Sequence, residues 1–174
     1  ALPIWETGDK KGIGKALNNI GLVYDNRHQP DIAIRYYADA LKLAEEIQDK
    51  GMQSLLLTNL GALNADKGQY EQALEYHLRG LKLKEELDDL YSIATSYNNI
   101  GSIYHALKNY DEAINFHKKC LEIREKLDDK NNVAMSYGNI AINYNGQKKY
   151  QEALDYQNKA VKIYTETNNK KGLC

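Results

Sequence analysis

The chain has 174 residues, with 23 Lys and Arg against 24 Asp and Glu, only 2 Pro and 2 Cys, and 14 Tyr. So balanced a charge leaves no basic footprint for nucleic acid, and Cys120 and Cys174, far apart with the second at the last position, support neither a disulfide framework nor a CxxC metal site. No wholly apolar run exceeds three residues, as at Leu55-Leu56-Leu57, far short of the roughly 18 residues that a membrane helix needs.

In chain order, periodic apolar stretches predict helices near 11–27, 30–48, 51–67, 70–88, 91–107, 110–128, 131–147 and 150–167. The pair at 91–128 is typical. Ile93, Tyr97, Ile100, Ile103 and Tyr104 fall at a spacing near 3.6. A polar break follows at Lys108-Asn109, and Ala113, Ile114, Phe116, Cys120, Leu121 and Ile123 resume the period. The other breaks are His28-Gln29-Pro30, Lys67-Gly68-Gln69 and Gly146-Gln147-Lys148. Pro30 suits a first helical position, where its missing N–H is no loss. No alternating Val/Ile/Thr-rich run competes as a strand.

These helix pairs repeat. Gly21, Gly61, Gly101 and Ala141 are spaced by 40 residues, as are Ala33, Ala73, Ala113 and Ala153. Leu41, Leu81, Leu121 and Val161 keep the same step, and Asn19, Asn59, Asn99 and Asn139 are identical throughout. Units of 10–49, 50–89, 90–129 and 130–169 follow with no insertion. Glycine inside a helix costs about 1 kcal/mol relative to alanine, so the glycine column implies a close helix approach, expected here opposite Ala33 and its equivalents. Ile20 beside Gly21 is expected to be buried.

The motif Leu17-x-x-Ile20-Gly21-x-x-Tyr24, then Ala33, Tyr37 and Ala40, resembles the tetratricopeptide repeat, and Tyr97-x-x-Ile100-Gly101-x-x-Tyr104 with Tyr110, Ala113 and Cys120 does so again. The resemblance implies an all-α fold: a right-handed superhelix (α-solenoid) of four helix-turn-helix repeats. The common repeat is 34 residues; the 40-residue form here resembles those of kinesin light chains, spindle-orientation adaptors, bacterial peptide-sensing regulators and repeat regions attached to sensor histidine kinases. Residues 1–9 resemble the end of a preceding repeat and 170–174 the start of a following one, so a segment of a longer repeat protein is expected.

No catalytic or phosphate-binding motif is present. His77 and His117 share one repeat position, taken by Tyr37 and Gln157 elsewhere. Packed helices stand roughly 8–10 Å apart, too far for both to reach one zinc ion, so they read as partly buried packing residues. Asp88-Asp89 and Asp128-Asp129 read as helix starts, Cys120 as a buried packing thiol and the tyrosines as core. No metal, cofactor or enzymatic activity is expected.

By the resemblance, the first helix of each unit lines a concave groove. Its outward residues would include Asn18, Asn19 and Leu22; Leu55 and Asn59; Asn98, Asn99 and His105; and Met135, Asn139 and Ile142. Amides offer donors and acceptors to an extended main chain, while the apolar members and His105 vary between units and would set specificity. The same Asn could equally bond one repeat to the next, and the two roles are compatible. Lys15 is the one basic residue among these outward positions, which disfavours acidic chaperone tails.

The expected function is therefore a non-enzymatic scaffold binding a protein, peptide or partner helix. The alternative is a sensory region of a larger signalling protein such as a bacterial histidine kinase. Self-association through the end repeats is a third expectation. No nucleic-acid partner is expected. The expected compartment is the cytoplasm, or the periplasm for a piece of a bacterial sensor.

Overall fold

The structure, a computed structural model, describes residues 9–167. The expectations for residues 1–8 and 168–174, Cys174 among them, lie outside the described residues. The chain divides into two compact units, Ala1–Asp88 and Asp89–Cys174.

The first unit contains α1 (Lys10–Asn26), α2 (Pro30–Glu46), α3 (Lys50–Asp66) and α4 (Tyr70–Glu86). The second contains α5 (Leu90–Ala106), α6 (Tyr110–Lys126), α7 (Lys130–Gly146) and α8 (Tyr150–Glu166). Each of the eight helices among the described residues has 17 residues, and no strand occurs among those residues. Sequence neighbours pair as hairpins, α1 with α2, α3 with α4, α5 with α6 and α7 with α8. Within the units, α3 also packs on α2 and α7 on α6.

Helix stops explain where the expected boundaries were too long. The second helices α2, α4 and α6 end two residues before the expected 48, 88 and 128, and α8 one before 167. Gln48, Asp88 and Asp128 there take φ values of 55°, 53° and 51°. His28, Lys108 and Lys148 do the same after first helices, and only Gly68 is a glycine. At Lys108 the closing bonds are Lys108 N to His105 O and Asn109 N to Tyr104 O, both 2.9 Å. This is the paired 5→2 and 6→1 pattern that satisfies the last carbonyls of a helix. The next residue then starts the following helix. Asp49, Asp89 and Asp129 accept from the backbone N–H of Met52, Ser92 and Asn132 at 3.0, 3.1 and 3.3 Å, satisfying donors that the first turn leaves free. The Asp-Asp linkers thus split their work: the first Asp turns the chain and the second caps.

In the first unit the core is Ala33, Tyr37, Ala40, Leu41, Ala44, Met52, Leu56, Leu57, Leu60 and Leu63. In the second, Ile114, Leu121, Val133 and Ile140 cluster with Tyr137, Tyr144, Tyr156 and Ile163. Half-buried aromatic pairs join the two helices of a hairpin: Tyr24 on Tyr36, Tyr104 on Phe116 and Tyr144 on Tyr156, each with ring centroids 5.5 Å apart. These tyrosines are therefore packing residues, as expected, though on the margin of the core. Cys120 is fully buried, 3.8 Å from Ser136 Oγ, and burial pushes its thiol pKa up.

Three packing expectations need correction. The close partner of the glycine column is an aromatic ring, not Ala33 and its equivalents. A methyl group on Gly21 would meet Tyr37 at 2.6 Å, on Gly61 it would meet His77 at 2.7 Å, and on Gly101 it would meet His117 at 2.8 Å. In the fourth repeat, where Gln157 replaces the ring, Ala141 replaces the glycine. Second, Ile20 is 39% exposed, whereas Leu60 and Ile140 are 1% and 0% exposed. Leu60 and Ile140 lie against the second helix of the preceding hairpin; no described helix precedes α1. His77 and His117, 3% and 2% exposed, are more deeply buried than expected.

Candidate functional site

The residues expected to face a groove sit on α1, α3, α5 and α7, and each unit shows its own set. In the first unit, Asn18, Asn19 and Leu55 line one cavity of about 400 Å³ with Lys11, Lys15 and Asp49. Lys11 pairs with Asp49 at 2.8 Å. That hydrogen bond holds the Asp49 carboxyl below its ordinary pKa, helped by the Met52 N–H. Leu55 is 50% exposed and Leu22 40%. Asn18 is not outward: it is 9% exposed, because its Oδ1 accepts from Asn59 Nδ2 at 3.1 Å across adjacent repeats.

The second unit repeats that bond. Asn139 Nδ2 donates to Asn98 Oδ1 at 2.9 Å. One N–H of each of these two column residues therefore ties α3 to α1 or α7 to α5. Each amide has further donor and acceptor capacity. Asn99 is half-buried. Met135 and Ile142 on α7 are 51% and 53% exposed.

His105, Asn139 and Ile142 come together around a cavity of about 150 Å³, with Ser102, His117 and Asn143. Asn143 was missed from sequence, yet it carries a signal. It interrupts the apolar column of Val23, Leu63 and Ile103, and it is 1% exposed. Its Nδ2 donates to Asn139 O at 2.8 Å, and its Oδ1 meets His105 Nδ1 at 3.0 Å. A carbonyl oxygen only accepts, so the amide orientation is fixed and Nδ1 of His105 carries the proton. In the neutral form of the ring that bond leaves Nε2 of His105 as an acceptor. Its ring also packs on Tyr110, centroids 5.7 Å apart.

Buried polar groups brace the same unit. Arg124 Nη1 donates to Asn132 O at 3.1 Å and Ser136 Oγ at 2.8 Å, linking α6 to α7. His117 has no partner for Nδ1; burial, with His105 and Arg124 nearby, lowers its pKa to about 4. In the first unit, burial and then Lys84 lower that of His77 to about 4. Both imidazoles are neutral at pH 7. Among the described residues no group of three or more His, Cys, Asp or Glu could hold a metal ion, and no helix is long and apolar enough to cross a membrane.

With four hairpins of this period in place, the comparisons agree with the geometry. The family model described as "Tetratricopeptide repeat" matches residues 12–86 and 92–166. The chain belongs to the tetratricopeptide repeat family, and its fold is the all-α solenoid type built of helix-turn-helix repeats. No curated protein matches it in sequence. Among solved structures, it is similar to the apo form of RapI, with 26% identity and a TM-score of 0.86 over 96% of this chain and 61% of that one. It is similar to a Rap protein complexed with Competence and Sporulation Factor, with 20% identity and a TM-score of 0.81 over 98% of this chain and 47% of that one. A third likeness is to a Signal Transduction ATPase with Numerous Domains protein with a tetratricopeptide repeat sensor from Pyrococcus horikoshii. There the identity is 20% and the TM-score 0.87, over 94% of this chain and 26% of that one. The chain thus spans less than two thirds of each of these proteins.

Proposed function

We propose that this chain is a non-enzymatic interaction scaffold, built of repeats at 10–49, 50–89, 90–129 and 130–169, that captures protein segments on the first-helix faces of each unit, α1 and α3 in the first and α5 and α7 in the second. The observation that carries this reading is chemical. On those faces, half-exposed apolar side chains (Leu55, Met135, Ile142) stand beside amides that keep unspent hydrogen-bonding capacity. An extended main chain needs such donors and acceptors, and the apolar neighbours supply the discrimination. The Rap protein complex with Competence and Sporulation Factor supports partner binding by this fold. The test is capture from source lysate by the 174-residue chain, followed by titration of a recovered partner against Asn59→Ala/Asn99→Ala. Binding at least tenfold weaker, in a double variant that still melts cooperatively, supports the reading. Unchanged affinity assigns the amides to structure alone.

A second reading has its own support. The ATPase whose repeats are described as a sensor favours a regulatory region within a larger signalling protein. There the same faces would bias an attached domain, and the full-length coding sequence decides. Self-association through the end repeats would show as a light-scattering mass rising with concentration.

A further inference from the structure

The small cavity of the second unit differs from a general groove in one respect: its hydrogen-bonding character is fixed by bonds already made. Ser102 Oγ donates its proton to Asn98 O at 3.0 Å and keeps its lone pairs. Asn139 Nδ2 commits one N–H to Asn98 Oδ1, leaving its own Oδ1 and the second N–H. His105 commits Nδ1–H to Asn143 Oδ1, which in the neutral ring leaves Nε2 as an acceptor. His117, 2% exposed, forms the inner wall, and its Nδ1 is a buried polar atom with no partner. The wall on α7 carries the apolar Ile142.

The cavity is therefore rich in neutral acceptors, holds at least one free donor, and has no carboxylate and no Lys or Arg among these residues. That combination discriminates by charge. A carboxylate would meet acceptors and gain little. An ammonium would lose its water without an ionic partner, which is costly. A primary carboxamide fits: two N–H donors for the acceptors, a carbonyl for the Asn139 N–H, and an alkyl stem for Ile142. About 150 Å³ also gives room for a group of that size, since about 10–15 Å³ of such volume already holds one water.

We propose that the cavity between α5, α6 and α7 is a carboxamide subsite, taking an Asn or Gln side chain of the ligand, with His105 Nε2, Ser102 Oγ and Asn139 Oδ1 as acceptors. As a ligand assignment it rests on the groove reading above; as a binding property of the cavity it can be measured without any peptide.

The probe is propionamide, with isosteric propionate and the three-carbon cation propylammonium as charged controls, titrated into the 174-residue protein and followed by NMR at the Ile142 methyls and the His105 ring. The expected result is a saturable shift at both positions with propionamide only. His105→Phe keeps a ring beside Tyr110 and loses the acceptor, and should weaken binding at least threefold. Because that change also strips Asn143 of its donor, Ser102→Ala at an exposed position serves as the second variant, with a smaller loss expected. No saturable propionamide shift, equal response to all three probes, or full binding in a folded Ser102→Ala and His105→Phe pair would overturn the subsite. The groove reading fails separately, through the Asn59→Ala/Asn99→Ala titration.

Discussion

The ring of His117 leaves no room for a side chain at Gly101: a methyl group there would stand 2.8 Å from Cε1 and 2.9 Å from Nε2. The glycine and the ring are one packing solution shared between the helices of a hairpin. Gly101→Ala should lower stability by about 2 kcal/mol, within the range for overpacking. In a His117→Gln background, which copies the Ala141 and Gln157 pair, that cost should vanish and helix propensity should return up to about 1 kcal/mol. A double-mutant cycle by urea unfolding measures the coupling, and additive effects would refute the pairing.

Acid should weaken both units. His77 and His117 have pKa values of about 4 in the folded protein and about 6.5 when unfolded. Between those values the unfolded chain binds protons that the native one excludes, so stability falls as pH drops from about 6.5 towards 4. Each histidine should contribute about 2 kcal/mol or more of that loss by pH 4.5. The double variant His77→Gln/His117→Gln should show a flatter Tm profile over this window, although it starts lower at pH 7.

The left-handed turns make a separate prediction. Lys108 holds φ at 59° in an exposed turn, a conformation that costs most side chains roughly 1–2 kcal/mol. Lys108→Gly should therefore raise Tm, Lys108→Ala should leave it nearly unchanged, and Gly68→Ala, at φ 74°, should lower it. Thermal melts of the three variants give the order directly.

The inter-repeat amide bonds should be modest but measurable. Asn139→Ala removes the donor to Asn98 Oδ1, and a net loss of about 0.5–1.5 kcal/mol is expected. A matched Asn98→Ala/Asn139→Ala pair should cost less than the sum of the singles. Strict additivity would show that the bond contributes nothing.

The period of 40 and the eight helices were legible because stacking constrains the same small and aromatic positions in every unit. The helix ends were not, since residues such as Gln48 and Asp128 turn the chain without being glycine. The face of α1 was misread at Asn18 because helical phase says which way a side chain points, not what the next hairpin brings over it. Asn59 arrives from 41 positions later and bonds it. The partner of the glycine column was in principle readable: Gly gives way to Ala at 141 in the one repeat where the ring gives way to Gln at 157. His105 was found, but Asn143, which fixes its tautomer, looked like a blemish in an apolar column.

The glycine and its ring lie 16 positions apart, inside one 40-residue unit. A crossover between units would pass both to the daughter gene and leave the fit intact. A joint falling between the two helices of a hairpin would mate Ala141-type first helices with ring-bearing second helices, and the product would clash. The pair thus sets a frame for exchanging repeats: whole hairpins can be added or removed with the fit intact, whereas a half-hairpin joint that brings an alanine under a ring loses it.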